Sequence, residues 1–451
     1  MSNAVETASK PESRLLRWPS RLVGPPPNLK ELNLACWGLL LGILVIPLCF
    51  GFWVHHRVSP GTLPPIASGF TYFYGIGKIV DTYPILRLYD YSLQLKTFND
   101  IWTQAGNDYG PSPYPPFIAL FFSLFARLSF EHAYFLWIMV SVALYGTGVL
   151  ATALALFPRH PLARSLMLCL SMAYYPFLFG ALLNGRISTL EIGAIGVVLL
   201  LESRNKPIFS GLALSVLTFK PTTLVLILPA LLLTRRFRTL SGFLMGATVW
   251  FTATTMVTGF AIWGEYVRFA RFFSHQQWLG NGRLLNYARY VDLKSLSYTL
   301  PGGRSPAGLA LLAAFAIAAG IALILLLWRS ARAPQPVQFL VWATVLTWTL
   351  ILNIYVPAYD SILVVPALAL TFSAFHSLHF KLATDLAALL ALLIFAVSWF
   401  SESIASQRHI QLFTFLFALL GCLQFGLLHK ALRQRLQSSS QSVDAIEIAA
   451  S

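Results

Sequence analysis

Charged residues are scarce in this sequence. Only 11% of the 451 residues are charged, 17 of them acidic, while 57% are hydrophobic and the mean hydropathy is +0.67. A soluble globular protein carries about 25% charged residues, so this composition excludes that class. The long apolar runs predict an all-α polytopic membrane bundle of about 12 or 13 transmembrane helices, with two large extracytoplasmic loops.

Cysteine is rare as well. The four cysteines are far apart in apolar runs and form no CxxC pair: Cys36, Cys49, Cys169 and Cys422. This spacing excludes a disulfide framework and a cysteine metal site. There is no DxD motif either, so we predict no metal ligands and no cofactor, although dependence on a divalent metal is left open by the sequence.

The net charge of +15 at first suggests a nucleic-acid partner. However, Lys and Arg occur in short clusters between apolar runs, where they orient helices toward the cytoplasm. We therefore expect membrane lipid, and no nucleic acid, as a partner. The predicted location is the inner (plasma) membrane, which the chain crosses many times.

Five segments follow from the charge and hydropathy pattern. Residues 1–33 are basic and Pro-rich with no apolar signal sequence, which predicts a cytoplasmic tail. Residues 34–428 form the predicted transmembrane domain, with extracytoplasmic loops at 54–116 and 264–306. Residues 429–451 read as a disordered tail, which places both termini in the cytoplasm.

The first loop holds four of the 17 acidic residues: Asp81, Asp90, Asp100 and Asp108. Within it, residues 68–80 carry apolar and aromatic side chains at helical spacing, with one polar side. This pattern predicts a helix lying in the membrane interface. A partly buried scaffold helix without a catalytic role is the alternative.

Two short apolar runs, 208–219 and 222–234, meet at Lys220, and each falls below the roughly 20 residues of a full crossing. Basic residues at their outer ends place both ends in the cytoplasm, so Lys220 lies on the side of the long loops. For residues 117–183, the same assignment of helix ends gives contradictory sides of the membrane. One run there must be re-entrant or too short to cross.

This topology gathers polar groups from separate parts of the chain on one side of the membrane, which is how a helical bundle builds a binding cavity. The groups are Asn184 to Arg186, Lys220, and the segment that contains Tyr359 and Asp360. Each also has a structural interpretation. Lys220 could extend its amine to the interface, Asp360 could cap a helix, and Arg186 could pair with Glu191.

Six short motifs follow one another in a particular order. They are Phe70-Thr71-Tyr72-Phe73-Tyr74 with Gly77; Leu88-Tyr89-Asp90 with Gln94; Tyr114-Pro115-Pro116-Phe117; Trp137 and Gly185; Gly211 and Phe219-Lys220-Pro221 with the basic Arg235-Arg236-Phe237-Arg238; and Tyr359-Asp360. This order resembles glycosyltransferase family 87, the polyprenol-phosphate-sugar-dependent GT-C mannosyltransferases and their relatives. The resemblance covers most of residues 68–370.

The resemblance implies a membrane glycosyltransferase. Such an enzyme moves a hexose or pentose, with mannose expected, from a polyprenyl-phosphate donor to a hydroxyl of a lipid or envelope polysaccharide at the extracytoplasmic face. A first-loop acid would act as general base, with inversion at the anomeric carbon. The residues expected to bind the donor phosphate or the substrates are Lys220, Arg186, His275, Tyr114, Tyr359 and Asp360. For His275, an exposed loop histidine is the alternative.

The chain departs from the family pattern at two positions. Gly69 stands where the family usually has the presumed base, an Asp, and Arg186 stands where it usually has Gln. We therefore predict Asp90 as the substitute base because it lies in the best-matched motif, followed by Asp108 and then Asp81. The departures also keep two other functions open, an inactive relative that scaffolds envelope glycan assembly and a lipid or sugar transporter.

Overall fold

The structure of the chain, a computed structural model, describes residues 67–101, 109–158, 160–275, 286–331, 333–353 and 355–450. The predicted tail at 1–33, the predicted first span at 34–54 and Asp108 lie outside this part of the chain, as does the side chain of His275. The predicted domain boundaries therefore stay predictions.

The described residues form a helical protein, as expected. The first helices are α1 (Ser68–Thr82), α2 (Tyr91–Ile101), α3 (Pro116–Ser123), α4 (Phe130–Leu156), α5 (Pro161–Met172), α6 (Ser188–Ser203), α7 (Pro207–Ser215), α8 (Pro221–Leu233) and α9 (Phe237–Thr258). The remaining ones are α10 (Ala261–His275), α11 (Leu293–Thr299), α12 (Pro306–Arg329), α13 (Gln335–Ile351), α14 (Val364–Ser377), α15 (Lys381–Ser398), α16 (Ser401–Arg408) and α17 (Leu412–Ala450).

Shorter helical turns connect several of these helices. One is a π-helix, Pro176–Leu183. The others are 3₁₀ turns at Ile85–Tyr89, Phe125–Arg127, Val216–Phe219, Tyr287–Arg289 and Ala358–Leu363. In the described ranges the β-type backbone pairing is limited to one antiparallel bridge, between Tyr290 and Pro357.

Six helical stretches in the described part of the chain are long and apolar enough to cross a membrane. They are Phe130–Leu156, Phe237–Thr258, Pro306–Arg329, Ala358–Ser377, Lys381–Ser398 and Leu412–Gln434. A seventh is added if the pair Pro161–Met172 and Pro176–Leu183 forms one bent span. The chain is thus a polytopic helical membrane protein, as predicted, while the expected count of 12 or 13 crossings stays a prediction.

The conflict between 117 and 183 has a structural explanation. Pro116–Arg127 is one of four apolar helices of 10 to 17 residues, and Pro161–Met172 meets Pro176–Leu183 at an angle of 66°. The prediction of a short or re-entrant run in this region is therefore confirmed. The two runs around Lys220 are also short helices, Pro207–Phe219 and Pro221–Leu233, as expected.

Helix α12 shows that the outer surface faces lipid. Only 17% of its most apolar stretch is buried within the protein, and Leu311 and Ile317 are more than half exposed. A large continuous apolar surface of this kind is unstable in water. In a bilayer the same side chains remain in hydrocarbon.

The inner helices approach one another closely through glycines. A Cβ built on Gly196 of α6 would lie 2.0 Å from the carbonyl oxygen of Gly148 on α4. Any larger residue at Gly196 would push the two helices apart. Small residues at such contacts allow the close van der Waals packing that holds membrane helices together.

The first-loop helix α1 packs into the protein. Phe70 and Phe73 are fully buried, and both rings pack against Phe122 of α3. The prediction of a helix at 68–80 is confirmed, and its burial agrees with the scaffold alternative more closely than with an interfacial helix. The two polar loops also touch, because the ring of Tyr89 lies 5.6 Å from that of Tyr266.

Candidate functional site

The site begins at the turn Asn184-Gly185-Arg186, which follows the π-helix Pro176–Leu183. Gly185 has φ +73°, and a Cβ added there would lie 2.5 Å from the Cβ of Phe70. Only glycine satisfies both constraints. The carbonyl oxygen of Gly185 accepts a hydrogen bond of 3.1 Å from Trp137, which fixes the turn on α4.

Asn184 caps the amino terminus of α1 from more than a hundred residues away. Its side-chain oxygen accepts hydrogen bonds from the backbone N–H of Gly69 and from the hydroxyl of Ser68, and its carbonyl oxygen accepts from the N–H of Phe70 at 2.9 Å. The first N–H groups of a helix have no partner within the helix and must be satisfied elsewhere. The turn therefore fixes the position of α1 relative to Arg186.

This cap predicts the effect of two substitutions. Asn184→Ala removes the acceptor and should lower the stability of the protein by about 1 kcal/mol, the usual cost of losing a helix cap. Asn184→Asp keeps the acceptor and should retain the stability of the wild type. The thermal unfolding midpoint in detergent tests both, and equal midpoints for the Ala and Asp variants would contradict the role of the cap.

The two departures from the family pattern touch each other. A Cβ added to Gly69 would lie 2.6 Å from Nε of Arg186 and 2.6 Å from the carbonyl oxygen of Asn184. The side chain of Arg186 thus occupies the space beside position 69, and no side chain fits at that position without a shift of this backbone. A carboxylate at position 69 and an arginine at position 186 are therefore sterically incompatible in this arrangement.

Arg186 is enclosed by tyrosines. Its Cζ atom lies 5.1 Å from the ring centre of Tyr72 and 4.9 Å from that of Tyr359. No carboxylate of the described residues lies within 4 Å of its guanidinium, and Nε is buried without a hydrogen-bond partner. We call Arg186, Tyr72 and Tyr359 the Arg186 cage. Cation–π contacts contribute about 0.5–2 kcal/mol each and replace only part of the lost hydration of a cation.

Lys220 has the opposite environment. Its Nζ contacts Oε2 of Glu191 at 2.9 Å and also contacts Oδ1 of Asp360. Thr223 donates to Glu191, and Ser188 donates to Asp360 at 2.6 Å. Glu191 is fully buried and Asp360 nearly so. We call Lys220, Glu191 and Asp360 the Lys220 triad.

The triad decides between the structural interpretations offered by the sequence. The described ion-pair partner of Glu191 is Lys220, so the alternative of an Arg186–Glu191 ion pair is not observed. The amine of Lys220 turns inward to two carboxylates, so its extension to the interface is also wrong. The carboxylate of Asp360 binds the side chains of Lys220 and Ser188, and a side-chain cap of its own 3₁₀ turn is not observed.

The charges of both clusters act on Tyr114 and Tyr355. Burial raises the pKa of Tyr114, the charge of Arg186 opposes this rise, and Asp360 adds to it. Burial also raises the pKa of Tyr355, and the charges of Arg186 and Lys220 oppose that rise. The geometry joins the two clusters as well, because Tyr359 of the cage directly precedes Asp360 of the triad.

A pocket of about 200 Å³, including the open space at its mouth, borders the triad. Its lining consists of Glu191, Lys220, Thr222, Thr223, Thr349, Leu350, Asn353, Tyr355, Val356, Asp360 and Leu363. Without that open space the cavity measures about 10 Å³, which holds about one water molecule.

Asp292 fastens the second loop to the site. Its carboxylate accepts hydrogen bonds from the backbone N–H groups of Val356 at 2.9 Å and Ser295 at 2.8 Å. Burial raises its pKa, although these hydrogen bonds act in the opposite direction. Val291 donates to the carbonyl of Val356 at 2.9 Å. The loop therefore holds the segment that carries Tyr355.

This fastening leads to a second prediction. Asp292→Asn places an amide where two acceptors are needed, so at least one buried N–H loses its bond, which should cost about 1–3 kcal/mol. We expect a lower thermal midpoint and weaker substrate binding. The same substitution at the exposed Asp385 is the control and should change neither. A wild-type midpoint for Asp292→Asn would contradict this role.

The predicted first-loop bases differ in position. Asp90 caps α2, and hydrogen bonds from Arg87, Ser92 and the N–H of Leu93 lower its pKa to about 2. Asp81 lies 3.9 Å from Arg127 near the far end of α1. At 1.5 Å per residue it is about 18 Å along the helix from Gly69.

Asp108 and the His275 side chain lie outside the described residues, but the neighbour of Asp108 is informative. The ring of Tyr109 lies 5.3 Å from that of Tyr72, and the N–H of Gly110 donates to the Tyr72 hydroxyl at 3.0 Å. The chain directly after Asp108 thus contacts the Arg186 cage. In the described ranges there is no group of three or more His, Cys, Asp or Glu residues that could hold a metal ion.

The model of glycosyltransferase family 87 matches residues 113–353, more than half of the chain. The chain belongs to glycosyltransferase family 87. Searches of curated proteins and of solved structures found no significant match.

Membership of family 87 implies a transferase, while the sugar, the donor and the acceptor are not identified by the match. The matched range includes Tyr114, Arg186 and Lys220. The motifs around Phe70 and Asp90 and the pair Tyr359-Asp360 lie outside it. The predicted roles of all these residues stay predictions.

Sequence reasoning missed several side chains of this candidate site. Tyr72, Glu191, Tyr355 and Asp292 are not among the predicted site residues. Tyr72 and Tyr355 belong to motifs or segments that the sequence makes conspicuous, and Glu191 is recognisable as an acid within an apolar helix. For Asp292 no signal exists in the sequence, because an Asp before a short helix is ordinarily a local cap.

Proposed function

We propose that the protein transfers a hexose or pentose, with mannose expected, from a polyprenyl-phosphate donor to a hydroxyl of a lipid or envelope glycan acceptor. The reaction would take place at the extracytoplasmic face of the inner (plasma) membrane. Family membership supports the transfer of a sugar. The membrane helices support a lipid-linked donor.

The observation that carries the proposal is that no carboxylate of the described residues contacts the guanidinium of Arg186. Two other cations that are mostly buried each have a carboxylate partner, because Lys220 pairs with Glu191 and Asp360 and Arg236 pairs with Glu202. Lys220 is therefore already engaged by protein carboxylates, whereas Arg186 is not engaged by any that the structure describes. A guanidinium binds a phosphate through two parallel hydrogen bonds, so Arg186 is the best donor-phosphate ligand among the described residues.

The proposed reaction forms one bond and breaks another. The acceptor oxygen attacks the anomeric carbon, the bond from that carbon to the phosphate oxygen breaks, and the polyprenyl phosphate leaves with an additional negative charge. Arg186 would stabilise that charge. A first-loop carboxylate would take the acceptor proton, and attack from the face opposite the phosphate gives inversion.

Of the predicted bases, Asp108 now has the stronger support, because Tyr109 and Gly110 contact the ring or hydroxyl of Tyr72 in the cage. With its pKa lowered to about 2, Asp90 is a weak base and is already used as a helix cap. A general base works best when its pKa is near the working pH. We place Asp81 last because of its distance from Gly69.

The test is transfer of radiolabelled sugar from polyprenyl-phosphate donors in proteoliposomes, followed by analysis of the labelled acceptor. Asp108→Asn should lower kcat/KM about 10²- to 10⁴-fold, the usual contribution of a general base. Asp90→Asn, and the exposed Asp100→Asn as control, should stay within about 5-fold of the wild type. Full activity of both Asp108→Asn and Asp90→Asn would overturn the proposed loop base.

One observation favours a lipid or sugar transporter as a second candidate. A charged triad buried between helices and a pair bent by 66° are features of transporter sites. The same proteoliposomes separate the two functions. A transferase places the label in a new covalent product, whereas a transporter moves it across the membrane with the donor intact. An inactive scaffold would do neither.

A further inference from the structure

Tyr355 has an unusually well-fixed position beside the site. Its ring lies 5.0 Å from that of Tyr290 and 5.8 Å from that of Phe273, and it lines the pocket next to the Lys220 triad. The residues on both sides of Tyr355 are fixed by hydrogen bonds. Asn353 donates to the carbonyl of Thr222 at 2.9 Å, and the N–H of Val356 donates to Asp292 at 2.9 Å.

The hydroxyl of Tyr355 is used as an acceptor. The hydroxyl of Tyr290 donates to it at 3.2 Å. A phenol carries one proton, and since Tyr290 supplies the proton of this bond, the proton of Tyr355 is available for a different acceptor. Among the residues that the structure describes, none accepts a hydrogen bond from Tyr355.

The charges around Tyr355 indicate what that acceptor is. The hydroxyl lies within electrostatic reach of the cations of Arg186 and Lys220 and of the carboxylate of Asp360. Lys220 contacts two carboxylates, whereas no carboxylate of the described residues contacts Arg186. A phosphate suits this arrangement, because its several anionic oxygen atoms can accept hydrogen bonds from the guanidinium and from the phenol proton at the same time.

We infer that Tyr355 is a phosphate-binding residue that donates a hydrogen bond to a phosphate oxygen of the lipid-linked donor, together with Arg186. This inference rests on the proposed function for its substrate. Tyr290 is a positioning residue, because it holds the oxygen of Tyr355 and so directs the proton of Tyr355 toward the phosphate. The fastening of Val356 to Asp292 supports the same arrangement from the backbone.

A donor at this position should act mainly on the chemical step. The phosphate gains negative charge as the bond to the sugar breaks, so a hydrogen bond to it becomes stronger in the transition state than in the bound substrate. Loss of one such donor typically lowers kcat about 10²- to 10³-fold. The KM for the donor should change much less.

The matched variants are Tyr355→Phe and Tyr290→Phe. Each keeps its ring and thus the aromatic packing, but only the first removes the proton given to the phosphate. Tyr355→Phe should lower kcat at least about 50-fold, with the donor KM within about 3-fold. Tyr290→Phe should lower kcat by less than about 10-fold, because it removes only the orienting bond. Thermal midpoints of both should equal that of the wild type.

A binding measurement separates this inference from the proposed function. The probe is farnesyl phosphate, titrated into the detergent-solubilised full-length protein by calorimetry, with farnesol as the uncharged control. Tyr355→Phe should weaken binding of farnesyl phosphate about 5- to 10-fold and leave farnesol binding unchanged. This arm needs no sugar transfer.

The outcomes are distinct. A wild-type protein that transfers no sugar overturns the proposed function, while weaker farnesyl phosphate binding by Tyr355→Phe would still support the phosphate role. Unchanged affinity and unchanged kcat in Tyr355→Phe overturn the inference. It is also overturned if Tyr355→Phe and Tyr290→Phe lose activity equally and both have lowered midpoints, because that pattern indicates a role in packing alone.

Discussion

Replacing Arg186 with Met is expected to lower sugar transfer by at least about 100-fold, because it removes the one described cation of the site that no carboxylate balances. Arg186→Lys should lose about 10- to 100-fold, because an ammonium on a flexible stem cannot make the two parallel hydrogen bonds of a guanidinium. The measurement is kcat and donor KM in proteoliposomes. Both variants should also bind farnesyl phosphate more weakly than the wild type.

The stability of Arg186→Met makes this prediction more specific. Arg186 is half-buried, and within the described ranges its Nε lacks a partner and its charged group contacts aromatic rings but no carboxylate. Removing a poorly compensated cation should therefore leave the thermal midpoint unchanged or raise it, even though activity falls. A loss of activity that accompanies a lowered midpoint would instead indicate a structural role for Arg186.

The control for Arg186 is an arginine on the second loop that has an ordinary ion-pair partner. Arg268 is exposed and contacts Glu265 on the same helix, a type of surface pair that contributes about 0–1 kcal/mol. Arg268→Met should keep activity within about 2-fold of the wild type. If it lost as much activity as Arg186→Met, the effect would reflect general positive charge near the site.

The membrane class and the convergence of Arg186, Lys220 and Asp360 could be predicted from the sequence, because both depend on simple patterns. Apolar runs predict helices, and basic clusters assign the ends of these helices to one side of the membrane. Those rules place Lys220 and Asp360 on the same side, and the structure joins them in one ion pair. The family resemblance added the order of the motifs.

Which residues form ion pairs with one another could not be predicted in this way. Glu191 lies five residues from Arg186 and 29 from Lys220, yet it pairs with Lys220. Arg186 belongs to the turn before α6 and lies beside Gly69 and the tyrosines, whereas Glu191 lies within α6 and contacts Thr223 of α8. Sequence spacing gives neighbours along a helix but does not give the direction of a side chain across such a turn.

The contact between Gly69 and Arg186 shows a further limit of prediction from the sequence. As separate positions, the two departures suggest a lost base and an added charge with no connection between them. In the structure, Nε of Arg186 occupies the space next to Gly69. The missing side chain at position 69 is therefore what lets the arginine lie beside α1, so the residues at these two positions depend on each other.

The Lys220 triad leads to the largest expected effect on stability. Lys220→Met would leave Glu191 and Asp360 buried without their cation, which should destabilise the protein by about 3–5 kcal/mol. Lys220→Arg keeps the charge and should lose less. The free energy of unfolding, or the thermal midpoint in detergent, measures the effect. A Lys220→Met variant as stable as the wild type would contradict the triad.

A variant in which all three triad residues are neutral tests the role of the triad in stability separately from its role in substrate binding. Combining Lys220→Met with Glu191→Gln and Asp360→Asn removes all three charges, and neutral replacement of a buried ion pair is often tolerated or stabilising, so the midpoint should recover. Because Lys220 is already engaged by two carboxylates of the protein, we expect this variant to transfer sugar within about 10-fold of the wild type. If it recovered stability but lost transfer completely, Lys220 or Asp360 would bind the donor directly, as the sequence predicted, and Arg186 would share the phosphate with the triad.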